Sequence, residues 1–168
     1  DKLDIAVGRI LADTPQRAKV LVDKIELYHK EASYGSWRNN FVVISDDVDV
    51  AWERILQETT DQIGNDVTRE KPFMNVIKIH SDSYQQESSA SGQRYPAVNK
   101  AIKDAIEVGA LVVNYFGHGG EDGIAGERIF DRNDSEDIRN TCKFNCFVTV
   151  TCEYTRFDNP LRPTAGEL

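Results

Sequence analysis

Four short runs, at residues 41–44, 75–79, 110–116 and 147–151, are rich in apolar and β-branched residues, and longer amphipathic stretches separate them. This alternation constrains the fold more than any other feature of the chain. Strands exposed to water on one face alternate apolar and polar side chains, whereas continuously apolar strands are buried on both faces, as in a parallel sheet. The intervening stretches carry apolar residues at helical spacing: Ala18, Leu21, Val22, Ile25 and Tyr28; then Trp52, Ile55, Leu56 and Ile63; then Val98, Ala101, Ile102, Ala105 and Ile106. Thr14-Pro15 is a helix start, with Thr as N-cap and Pro at the first helical position. Residues 4–8 read as a further short strand and residues 84–92 as a polar loop. The expected class is α/β, a mostly parallel sheet with helices on both faces.

A chain of 168 residues with 40% apolar and 29% charged side chains has an ordinary globular composition, and it is long enough for one domain with a substantial core. Its longest apolar runs, 110–113 and 42–44, fall far short of the roughly 18 residues of a membrane helix. A net charge of −8 argues against nucleic acid as a partner, because phosphate binding needs an excess of Lys and Arg. The cysteines, Cys142, Cys146 and Cys152, are odd in number, so at least one is free or bonded elsewhere. Cys142 and Cys146 have no nearby His and no second Cys pair, which argues against a four-ligand zinc site. No metal or other cofactor is assigned. The chain starts without Met inside a patterned segment and stops at Ala165-Gly166-Glu167-Leu168 as a helix begins. We therefore expect residues 1–168 to be a single domain from a longer protein, with the C-terminal part of that domain missing.

Ligands of open α/β sheets bind beyond the carboxyl ends of the strands. Three strands end in residues able to do chemistry: Asp46-Asp47, Gly117-His118-Gly119-Gly120 and Cys152-Glu153. If these strands are neighbours, the imidazole of His118 takes the thiol proton of Cys152 and leaves a thiolate that attacks a carbonyl carbon. The glycine after His118 lets the main chain approach a substrate closely. Its N–H and that of Cys152 then face the developing oxyanion. Blander readings stand beside this one. A single Cys after a strand is commonly a small buried hydrophobe, and Asp46-Asp47 suits a turn or helix cap. His29 and His80 read as structural or solvent-facing. The acidic run Glu121, Asp122, Glu127, Asp131, Asp134, Glu136 and Asp137 reads as a solvated face, with a basic substrate or calcium as the alternatives.

The segment Val112-Val113-Asn114-Tyr115-Phe116-Gly117-His118-Gly119-Gly120-Glu121 resembles the histidine motif of the gingipain-type cysteine peptidases, family C25, in which an apolar strand runs into Gly-His-Gly-Ser-Glu. Phe147-Val148-Thr149-Val150-Thr151-Cys152 is similar to the nucleophile strand of that family, and residues 4–9, the helix after Thr14 and the strand ending at Ser45-Asp46-Asp47 follow its pattern. The resemblance implies a caspase-like three-layer α/β sandwich and a cysteine endopeptidase. It makes His118 the general base, Cys152 the nucleophile and Gly119 an oxyanion-hole donor. Asp47, or its neighbour Asp46, becomes the carboxylate that orients the histidine.

The chain departs from the family where Gly120 replaces Ser, Ala125-Gly126 replaces Trp-Gly, and Glu153-Tyr154 follows the cysteine. These changes imply a different wall for the side chain preceding the cut. Residues 152–160 and 162–167 look closest to the branch that serves type IX secretion at the surface of Gram-negative bacteria. There a sortase removes C-terminal sorting domains from cargo and joins the new carboxyl end to an anionic lipopolysaccharide. The implied partners are those sorting domains and other type IX components. A secreted endopeptidase without the joining step, and an α/β interaction module without turnover, are the alternatives.

Overall fold

The computed structural model describes residues 5–90, 92–158 and 164–167. Helix α1 (Pro15–Tyr28) starts at Thr14, whose side chain accepts from the Arg17 N–H at 3.2 Å. Strand β1 (Asn40–Ser45), helix α2 (Arg54–Glu70) and strand β2 (Asn75–His80) follow. A short hairpin, β3 (Glu87–Ser89) and β4 (Gly92–Arg94), precedes helix α3 (Pro96–Val108) and strand β5 (Val112–Phe116). A small antiparallel sheet comes next, from β6 (Gly119–Gly120), β7 (Gly123–Ile124) and β8 (Phe130–Asp131). Helix α4 (Arg132–Asp137) and strand β9 (Cys146–Val150) complete the order.

The main sheet runs β2-β1-β5-β9 and every pairing in it is parallel. Val42, Ile44, Val113 and Tyr115 point to one face and form the core with Ile79 and with Val98, Ile102 and Ile106, the inner stripe of α3. Val43 points to the other face, where α2 packs through Leu56, Thr60 and Gly64. A Cβ on Gly64 would sit 2.8 Å from Lys78 Cε and 3.3 Å from Val76 Cγ1, so the missing side chain brings α2 close to the strands. Helices on both faces of a parallel sheet make this the expected α/β sandwich. Among the described residues, no helix is long and apolar enough to cross a membrane.

Several local expectations are corrected. Residues 5–8 form no strand: Ile5 and Val7 are 74% and 78% exposed, because the segment reaches no sheet edge, and Asp4 lies outside the described residues. The apolar stripe of α1 does not enter the core. Instead Tyr28 and Leu27 anchor the helix end, their carbonyls accepting from Arg38 Nη2 at 2.6 Å and Ser33 Oγ at 2.6 Å. Ile25 and Tyr28 line an open groove of about 570 Å³ with Phe144 and Phe147. Trp52 and Ile55 are exposed: Trp52 lies in the turn before α2, and the buried stripe of α2 is Leu56, Thr60 and Gly64. The loop at 84–92 contains the β3–β4 hairpin, with Ser91 outside the described residues.

Candidate active site

Strand register brings the chemistry to one rim. Ser45 of β1 lies opposite His80 of β2 and Phe116 of β5, and Phe116 lies opposite Val150 of β9. The residues that follow, Asp46-Asp47, Gly117-His118 and Thr151-Cys152, therefore leave the sheet side by side. The main chain continues the pairing past the strands: Gly117 N–H donates to the Val150 carbonyl at 3.3 Å, and Asp46 N–H points at the Phe116 carbonyl at 3.5 Å.

The ring of His118 is half exposed, and its Nε2 lies 2.9 Å from Glu53 Oε1. Trp52 meets it edge-to-face, with ring centroids 5.8 Å apart. Glu53 stands in the turn leading into α2 and is 7% exposed. Its other oxygen, Oε2, accepts from the N–H groups of Asp49 at 2.8 Å and Val50 at 2.9 Å. The Val50 amide foremost, with the His118 ring and the Asp49 amide, holds the Glu53 carboxyl below the usual range against the opposing effect of burial. A carboxylate at Nε2 selects the tautomer with its proton there and leaves the Nδ1 lone pair free to accept.

Cys152 is an exposed, free thiol just beyond β9. A tight turn follows, in which Tyr154 N–H donates to the Cys152 carbonyl at 2.6 Å and Glu153 adopts a left-handed φ of 52°. Gly119 packs against this turn. A Cβ there would lie 2.5 Å from Thr151 Oγ1 and 3.2 Å from the Cys152 carbonyl oxygen, so only glycine allows the approach. The structure thus brings His118, Gly119 and Cys152 to one rim.

Asp47 takes another position. Its Oδ2 accepts from the Tyr95 hydroxyl at 3.1 Å, with Gln86 Nε2 at 3.5 Å, while the carboxylate bonded to the ring belongs to Glu53. Asp46 accepts the main-chain N–H of His118 rather than its ring, at 2.8 Å. Asp46, Asp47 and Glu127 are all buried, and their carboxylate oxygens lie within 4.8 Å of one another. Among the described residues this is the one cluster with metal-ligating spacing, and its all-oxygen character would suit a hard cation. Burial foremost, aided by the neighbouring carboxylates, pushes Asp46 up to about 6 and Glu127 up to about 7. Other acids of the 121–137 run have structural tasks. Asp131 caps α4, Asp134 pairs with Lys103 at 3.1 Å, and Glu121 pairs with Arg156 at 3.2 Å.

Sequence reasoning did not single out Glu53, and it placed Trp52 only on the apolar face of a helix rather than beside His118. The usable signal for Glu53 was an acid at the mouth of a helix, able to reach back to the main-chain N–H groups of the preceding turn.

A parallel sheet whose carboxyl rim presents an imidazole, a thiol and a close-packed glycine defines an α/β domain of the caspase-like kind. The sequence profile of peptidase family C25 matches residues 1–168, and the chain belongs to that family. The fold is similar to the crystal structure of the Arg-specific cysteine proteinase gingipain R (RgpB), with a TM-score of 0.73 at 18% identity, over 95% of this chain and 34% of that one. It is also similar to a complex of Porphyromonas gingivalis RgpB pro- and mature domains, with a TM-score of 0.64 at 19% identity, over 98% of this chain and 36% of that one. The chain therefore spans about a third of the length of these structures. No curated protein matches it.

Proposed function

We propose that the protein is a cysteine endopeptidase in which Cys152 is the nucleophile and His118 the general base. Glu53 fixes the imidazole, and Gly119 N–H faces the oxyanion. The observation that carries this reading is the buried Glu53 carboxylate at Nε2 of a half-exposed imidazole, on the same rim as a free thiol. With Nε2 bonded, Nδ1 takes the Cys152 proton, and the thiolate adds to the scissile carbonyl. The oxyanion forms against main-chain N–H groups, and the imidazolium then gives its proton to the leaving amine. A thioester remains on Cys152. Water releases it as a carboxylate, and an amine acceptor releases it as a new amide.

Glu53 takes the orienting role that the family resemblance assigns to Asp47 or Asp46, because its carboxylate is the one bonded to the ring. The finer reading is a type IX secretion sortase similar to PorU, acting at the surface of a Gram-negative bacterium. Its substrates are the C-terminal sorting domains of cargo. The segment after Cys152 supports this by resemblance, although residues 159–163 of it lie outside the described residues. The test is replacement of Cys152 by Ala in the full-length protein, followed by incubation of wild type and variant with cargo and an amine acceptor. Cleavage by wild type alone, with a product heavier by the acceptor less water, supports both steps. A hydrolysed product alone limits the activity to endopeptidase, and equal cleavage by the variant refutes the assignment.

A further inference from the structure

The main chain of His118 is gripped by two buried side chains. Asp46 Oδ2 accepts its N–H at 2.8 Å, and the Tyr115 hydroxyl donates to its carbonyl at 2.6 Å, alongside the Ala125 N–H at 2.8 Å. Asp46 is 2% exposed and Tyr115 is fully buried. Both polar groups are expensive to bury, and a phenylalanine at 115 would fill the strand position without a hydroxyl to satisfy. Gly117 lies between the two grips. A Cβ there would come within 2.6 Å of Asp46 Cβ and would overlap the Tyr115 hydroxyl, so the clamp closes only over glycine.

We propose that Asp46 and Tyr115 are positioning residues that lock the His118 main chain at the rim, so that its imidazole stays aligned with Cys152 and Glu53 while protons move. The inference rests on the reading of His118 as general base. Neither residue is bonded to the ring, so neither carries a proton in the reaction. Their effect is geometric, and a displacement of about 1 Å in such a group can cost on the order of 100-fold in rate.

The test compares full-length wild type with Tyr115→Phe, Asp46→Ala, Asp46→Asn and His118→Ala. In each, kcat and KM are referred to the amount of titratable Cys152 thiol, and melting temperature is followed in parallel. Tyr115→Phe and Asp46→Ala should each lower kcat per thiol about tenfold or more, with KM within about twofold. Asp46→Asn, which keeps an acceptor oxygen, should recover most of the loss. A drop in melting temperature with kcat per thiol unchanged would overturn the proposal, since a purely structural role reduces only the folded fraction. Unchanged turnover in His118→Ala would instead refute the general-base reading beneath it.

Discussion

Glu53 and His118, 65 residues apart in the chain, meet with Oε1 and Nε2 2.9 Å apart. The contact forms because one carboxylate does two jobs. Oε2 ties down the turn at Asp49 and Val50, which leaves Oε1 directed at the ring. Glu53→Ala should therefore lower kcat/KM by roughly 10²- to 10⁴-fold, the range general acid–base positioning commands. Glu53→Gln keeps an acceptor for the turn, so its melting temperature should lie above that of Glu53→Ala while activity stays low. Steady-state kinetics and thermal melting on the same samples check both outcomes.

Gly119→Ala tests the approach of the main chain to the Cys152 turn. The new methyl meets Thr151 Oγ1 at 2.5 Å and must displace either the loop or the turn. Loss of an oxyanion donor costs on the order of 10²- to 10³-fold in kcat. A fall of that size, with the rate of thiol alkylation little changed, would separate oxyanion stabilisation from nucleophile activation.

Stability should decline as pH rises from about 4 to about 7. Asp46 and Glu127 have ordinary values of 3.8 and 4.5 but are raised to about 6 and about 7, chiefly by burial. A carboxyl with a raised folded pKa binds its proton more tightly in the native state, so the folded form loses ground as that proton leaves. The melting temperature at pH 5.5 should exceed that at pH 8. Glu127→Gln should remove much of the difference by raising the melting temperature at pH 8 towards that at pH 5.5.

Much of the architecture was legible because continuous apolarity and helical spacing report burial directly. The α3 stripe of Val98, Ile102 and Ile106 and the cap at Thr14 are read from local pattern alone, and they hold in the structure. Residues 5–8 and α1 carry equally apolar patterns, but a pattern cannot say whether a surface exists to cover it. The α2 interface was legible only at Leu56, since its other buried residues, Thr60 and Gly64, are small rather than apolar. At the site, strand ends located His118 and Cys152. Glu53 went unnoticed although an acid at a helix entrance is a capping signal, because that signal does not say which ring its second oxygen reaches.

Gly64→Leu examines the α2 interface independently of the chemistry. The added side chain would press on Lys78, Val76 and Val43, all within 3.4 Å of a Cβ at this position. Overpacking of this kind costs about 1–3 kcal/mol. Chemical denaturation should show a lower midpoint, with kcat per folded molecule preserved.

The central claim is that the imidazole of His118 activates the thiol of Cys152. Cys146 and Cys152 are both exposed free thiols, so exposure alone predicts similar reactivity. The decisive measurement is the site-resolved rate of iodoacetamide alkylation at Cys152 relative to Cys146, read by peptide mass in wild type and in His118→Ala. We predict that Cys152 reacts at least about tenfold faster in wild type and that the advantage disappears in the variant. Equal rates at the two cysteines, or a Cys152 advantage that survives loss of the imidazole, would contradict the account.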